Sequence, residues 1–356
     1  MSLHSANYVA DAATFGQQYK KSEAQRIIIL CVLGASLVIA LLLDLATGPS
    51  GLGIIEVIKG IASPQNLDQR QAIILWQVRL PDALIALAVG ASLGLAGAET
   101  QTILNNPLAS PFTLGVSAAA TLGASIAIVV APTIPFVSPV AVLPIMALLF
   151  ALGSGALILG FMRLVHGGRE AIILFGIALV FLCNAITAMF QYVASAEAVQ
   201  EIVFWTVGNL TRAGWVEVQL VSFCFLLILP LSLRHVWTMT MLRAGEAQAV
   251  SLGLNINRLR TMTIARVSVL TAFAVCFVGA IGFIGLVGPH IARLVLGEDH
   301  RFLLPGSAIC GALVLSLASY LSKALIPGIV IPVGILTALV GVPMFLALIT
   351  MRRRQL

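Results

Sequence analysis

Charge is scarce in this chain, and that scarcity excludes more than any motif admits. Only 10% of the 356 residues are charged, against about a quarter in soluble globular domains, so an ordinary soluble domain is excluded. No GxxxxGK[ST] run occurs, which removes nucleotide binding by a phosphate loop. The five cysteines (Cys31, Cys183, Cys224, Cys276 and Cys310) all lie in apolar runs and none is at metal-ligand spacing; they read as small packing residues. No His/Cys/carboxylate cluster has metal spacing and no nucleophile motif is visible, so no catalytic or metal residue is assigned.

What is there is apolar. Hydrophobic residues make up 60% of the chain and the mean hydropathy is +1.05. A helical span needs about 20 apolar residues, and lipid demands that every backbone group be satisfied internally. The fold class is therefore an all-α polytopic membrane protein. Ten spans are predicted, near 27–45, 81–103, 113–131, 139–163, 171–193, 215–233, 262–284, 287–297, 303–324 and 333–351. The piece at 287–297 is short and counts as a continuation across a bend at Gly285–Gly288. Residues 1–25 read as a polar tail before an uncleaved first span, 26–352 as one transmembrane domain, and 353–356 as a second tail.

Basic residues orient these spans. With the N-terminus inside, 15 of the 20 Lys and Arg fall on the cytoplasmic side, which the positive-inside rule favours. Both termini are then cytoplasmic. The net charge of +6 is a topology signal and implies no nucleic-acid partner. Glycines recur every three or four residues in GASLGLAG (90–97) and GAIGFIGLVG (279–288), a spacing that lets helix backbones approach closely. Among the few charges within spans, Glu99 is the clearest candidate for a coupling-ion carboxylate, and Asp44 falls at the outer end of the first span where solvation is easy. One such carboxylate is thin support for ion coupling, so the energy source is expected elsewhere.

One polar stretch interrupts this pattern. GEAQAVSLGLN (245–255) lies between two apolar runs, on the cytoplasmic side. Glu246 suits a helix N-terminus, where the macrodipole favours an anion. Gly253 can close the helix in the left-handed conformation. Ala247, Val250 and Leu254 fall at helical spacing on one predicted contact face.

Several segments together resemble the FecCD-type permeases, the membrane subunits of ABC importers for iron-siderophores, haem and cobalamin. They are RLPDALIALAVGASLGLAGAETQTILNNPLASPFTLGVSAAATLGA (79–124), ILFGIAL (173–179), FWTVGNL (204–210), GEAQAVSLGLN, GAIGFIGLVGPHIARLVLGEDHRFLLPGSA (279–308) and IPVGILTALVGVPMFLALI (331–349). The likeness runs from about residue 26 to 352.

The resemblance implies a type II importer permease with ten helices per subunit, paired with a second permease that is identical or homologous. It also implies two ATPase subunits below, which bind ATP and Mg, and a substrate-binding protein above. The setting implied is a bacterial inner membrane. The cytoplasmic segment at about 245–258, with Gly245, Glu246, Ala247, Val250, Leu252, Gly253 and Leu254, is implied to grip the ATPase. Arg79 and Lys323 match rim positions that pair with glutamates of the binding protein, and Asp82 stands where a second basic residue is usual. The turn with Gly167, Gly168, Arg169 and Glu170 matches the cytoplasmic gate, although Arg169 and Glu170 replace small hydroxyl residues. Glu99 departs from an apolar position and is expected to face the second subunit or the path. The function implied is import of ferric siderophores, with haem or cobalamin as alternatives. An ion-coupled secondary transporter is the remote competitor, on the weak likeness of 86–99 to 272–285.

Overall fold

The computed structural model describes residues 2–48, 53–130, 138–165, 168–326 and 328–353, with side chains from residue 21 onward except 66, 345 and 347–353. Every described element is helical. The order is α1 (Ser2–Ala46), α2 (Ile54–Ala62), α3 (Gln69–Ile73), α4 (Leu80–Ile103), α5 (Val116–Val130), α6 (Pro139–Val165), α7 (Arg169–Val193), α8 (Ala196–Thr206), α9 (Trp215–Leu233), α10 (Val236–Arg243), α11 (Glu246–Ser251), α12 (Ile256–Val278), α13 (Ile284–Leu296), α14 (His300–Ala324) and α15 (Val333–Arg353). A π-helical stretch at Ile74–Arg79 joins α3 to α4. Two short 3-10 turns lie at Pro64–Asn66 and Leu210–Arg212.

Among the described residues, seven helices are long and apolar enough to cross a bilayer, and α5, α13 and the Val333–Met344 part of α15 are shorter apolar helices. These ten occupy the ten expected places, with shifted edges. The second span is longer than 81–103, because the π-helical turn carries it back to Gln69 as one rod. The polar N-terminal stretch is helical from Ser2 and continuous with the first span.

The expected bend at Gly285–Gly288 is corrected: the chain breaks at 279–283, between α12 and α13. Gly279 takes φ +82° and Phe283 takes φ +67°, a conformation that an aromatic residue adopts only rarely. Gly285 and Gly288 lie inside α13, where they serve packing.

Almost all of α4 is buried, as befits a helix that is hydrophobic all round. It packs against α14, α12, α13 and α9, while α5 and α6 pack on α12, α7 packs on α5 and α6, and α1 packs on α14. Close approach explains the glycine spacing. A Cβ on Gly90 or Gly94 would run into the α14 backbone at Gly311 and Ser307, and one on Gly97 into the backbone at Gly285. Buried hydroxyls on α4 return their protons to the helix: Ser92, Thr100 and Thr102 donate to the carbonyls of Ala88, Ala96 and Ala98 at 2.7, 2.7 and 2.8 Å. This satisfies groups that would otherwise be costly in an apolar interior. Four cysteines are buried as expected, but Cys31 is exposed on α1.

Candidate functional site

Helices α10 and α11 form a small polar appendage between the α9 and α12 spans. Gly245, at φ +131°, makes the corner between them. Helix α11 then closes on Gly253 at φ +84°. The Gly253 N–H donates to Val250 O at 2.9 Å and the Leu254 N–H to Ala249 O at 3.0 Å, the paired bonds of a Schellman motif. Asn255 starts α12 by accepting from the Arg258 N–H at 2.9 Å, a side-chain N-cap.

Beneath this sits a miniature core. Ala249 packs with Leu242, Ile256 and Leu259, and Leu254 lies against them. Leu254 therefore does not share the contact face predicted for it, because the Schellman turn folds it back under the helix. Ala247, Val250 and Leu252 are all exposed, the last two by 59% and 67%. Ala247 and Val250 share a face of α11, whereas Leu252, two residues past Val250, leaves the helix end in another direction. A groove of 510 Å³ runs beside them, lined in part by Val250, Leu254, Asn257 and Arg260.

Glu246, the first residue of α11, reaches two helices. Its Oε1 pairs with Arg260 Nη2 of α12 and lies 3.7 Å from Arg169 Nη1 at the start of α7. Between α7, the end of α4 and α11 lies a cavity of 690 Å³, lined by Thr102, Asn105, Arg169, Glu170, Leu242 and Glu246 among others. The expected gate residues Arg169 and Glu170 thus border the appendage directly. Gly168 is exposed beside them, and Gly167 lies outside the described residues.

A second cluster at this end carried no sequence-based role. The turn Gly297–His300 between α13 and α14 binds most of its surroundings. Glu298 pairs with Arg243 of α10 at 2.6 Å and with Arg293 of α13 at 3.2 Å. Asp299 caps α14 and pairs with Arg301 at 2.7 Å and with Arg26 of α1 at 3.3 Å. The Arg301 guanidinium hydrogen-bonded to it holds the Asp299 carboxyl below its ordinary pKa. His300, fully buried, places Nε2 2.8 Å from Thr102 Oγ1 and Nδ1 3.1 Å from Thr240 Oγ1. The turn therefore fastens α10, and with it the appendage, to α1, α4, α13 and α14. Its signal in the sequence was the polar run GEDH between two apolar helices.

The opposite end of the bundle requires three corrections, at Arg79, Lys323 and Asp44. Arg79 is 5% exposed and donates from Nη1 to Leu45 O at 2.6 Å. The Lys323 side chain is 9% exposed and pairs with Asp44 at 2.9 Å and Asp82 at 3.9 Å. Neither is presented on the rim for a partner's glutamate, because an internal carboxylate or carbonyl already holds it. Asp82 belongs to the same network, as the second carboxylate near Lys323. Asp44 is not solvated: it is fully buried and also accepts from Ser319 Oγ at 2.9 Å. Glu99 is corrected likewise. It is 0% exposed inside the subunit and bonded to Arg266 of α12, so it faces neither a second subunit nor an open path.

A bundle of long apolar helices that fastens a rigid polar appendage to its core is the architecture of a multi-pass membrane transport subunit. The comparisons with known proteins agree. The chain belongs to the FecCD transport family, whose sequence profile matches residues 36–351. It is 33% identical to the Fe(3+)-citrate import system permease protein YfmE of Bacillus subtilis, over 94% of this chain and 98% of that protein. It is also 33% identical to the hemin transport system permease protein HmuU of Yersinia pestis, over 88% and 94%. A solved ABC transporter of proposed metal-chelate type, in an inward-facing conformation, superposes with a TM-score of 0.78 at 32% identity, covering 90% of this chain and 98% of that one. The chain is thus an ABC transporter permease subunit with a type II importer fold, and the ATPase is a separate subunit.

Proposed function

We propose that this permease imports ferric siderophores, moved by two ATPase subunits that bind ATP and Mg. A second permease, identical or homologous, completes the path, and a substrate-binding protein docks at the end of the bundle where Arg79 and Lys323 lie. Both termini and the α10–α11 appendage are cytoplasmic, in a bacterial inner membrane. Gly245, Glu246, Ala247, Val250, Leu252, Gly253 and Leu254 form the ATPase-coupling element: Ala247, Val250 and Leu252 make the contact, and the glycines and Leu254 keep it rigid. The turn with Gly167, Gly168, Arg169 and Glu170 is the cytoplasmic gate.

The observation that carries this reading is the doubly closed α11, whose exposed apolar residues stand on a packed base. A helix so anchored transmits rigid-body motion, whereas a loose loop would absorb it. Support for an iron chelate comes from the iron-citrate relative; haem and cobalamin are the alternatives. The complex with its ATPase and binding protein, purified and reconstituted, is expected to import the ligand held by that binding protein only with ATP. Deleting 245–255 is expected to abolish import, with assembly scored separately. Transport by the chain alone under an ion gradient would overturn the reading.

A further inference from the structure

Helix α2 is nine residues long, IIEVIKGIA, too short to cross a bilayer. Successive residues turn by about 100° around a helix axis, which sorts its side chains into three sectors. Val57 and Gly60 form the first and are buried. Gly60 lies tight under Leu67 and Leu75, where a Cβ would collide with both. The second sector holds Glu56 and Lys59, both exposed. The third holds Ile54, Ile55, Ile58 and Ile61, all exposed, Ile55 by 68% and Ile58 by 48%. The three sector centres lie roughly 120° apart.

A helix with only two environments, protein and water, has no use for the third sector. Four outward isoleucines beside two outward charges fit a line where protein, water and hydrocarbon meet. The location agrees. Val57 shares a cluster with Leu45 at the end of α1 and with Leu75 and Leu80, against which Trp76 and Trp215 pack. Tryptophans concentrate at the membrane–water interface. Helix α2 also packs on α1, whose Ile27, Ile28, Val32, Val38 and Ile39 are exposed along an apolar span. Of these, Val38 and Ile39 lie on the half of α1 that leads to Leu45, the residue clustered with Val57 of α2.

We propose that α2 is an interfacial helix, lying along the bilayer surface with its isoleucines in the boundary between headgroups and acyl chains and with Glu56 and Lys59 in water. Such helices bind through buried apolar area on one face and charge on the other. The inference does not depend on which side of the membrane α2 occupies or on what is transported.

The test uses the full chain carrying Cys31→Ser, since the other four cysteines are buried. Single cysteines replace Ile55, Ile58 or Lys59, each carries an NBD fluorophore, and the protein is placed in phosphatidylcholine nanodiscs. The 55 and 58 labels are expected to emit to the blue and to lose emission when the upper acyl chains are brominated. The 59 label is expected to emit as in water and to keep its intensity. Water-like, unquenched emission from 55 and 58 would overturn the proposal. So would blue emission insensitive to bromine, which would mean that a second copy or another protein covers the face. Because these three side chains point outward, failure to fold is not expected, and an unchanged thermal unfolding midpoint for each labelled variant checks for it.

Discussion

Glu99 Oε1 accepts two hydrogen bonds from Arg266, from Nε at 3.2 Å and from Nη2 at 2.9 Å, and so ties the last turns of α4 to α12 inside the subunit. The same Nη2 donates to Thr263 Oγ1 at 3.1 Å. Removing one partner of a buried ion pair leaves the other charge uncompensated, a loss of about 3–5 kcal/mol. Replacing both by apolar side chains removes the problem with its cause. Glu99→Leu and Arg266→Leu are each expected to lower the thermal unfolding midpoint sharply, and the double variant to regain most of the loss. Thermal unfolding of the purified chain in detergent measures this. A Glu99→Gln variant that kept its midpoint but lost transport would show that the carboxylate serves the path after all.

This pair marks the limit of what the sequence discloses. Span number and the polar appendage were legible, because apolar length and the Gly245–Gly253 punctuation are local signals. Glu99 and Arg266 are 167 positions apart, and Asp44 and Lys323 are 279 apart, so no window of sequence shows that they meet. The family likeness marked Arg79 and Lys323 as rim residues without revealing that Asp44 and the Leu45 carbonyl already engage them. Nor could the break at 279–283 be placed, since its pivot is a left-handed Phe283 and the four glycines at 279, 282, 285 and 288 offered equal claims. The room for that ring comes from Gly341, whose Cβ would strike it.

Lys323 supplies a direct test of the corrected reading of that end. Its ammonium is the near cation for two carboxylates, Asp44 and Asp82. If it served docking, Lys323→Ala would weaken attachment of the binding protein and leave the fold untouched. The geometry predicts the reverse order of effects. Lys323→Ala is expected to destabilise the permease alone, by about 3 kcal/mol or more, measured as a fall in the unfolding midpoint without any partner present. Asp44→Asn combined with Lys323→Met is expected to restore part of it. An unchanged midpoint for Lys323→Ala would return the residue to the rim.

Glu246 stands between two arginines of unlike surroundings, and this permits stability and coupling to be separated. Arg260 is buried beneath it, its side chain 6% exposed, whereas Arg169 is 39% exposed at the edge of the 690 Å³ cavity. A charge-assisted bond to a buried guanidinium contributes about 1.5–3 kcal/mol, and a half-exposed pair about 0.2–1 kcal/mol. Arg260→Gln is therefore expected to loosen α11 itself, lowering both the unfolding midpoint and the retention of the ATPase during purification. Arg169→Gln is expected to leave both measurements near wild type. Its effect belongs to motion, because Arg169 opens α7 and Glu246 opens α11, with a cavity between them. Arg169→Glu sets two carboxylates against each other there, so ATP hydrolysis by the reconstituted complex should persist while import per ATP falls. Arg169→Lys should keep most of the coupling. Equal losses of hydrolysis and import in Arg169→Glu would point to damaged assembly, and an unchanged ratio would show that the pair carries no motion between the two helices.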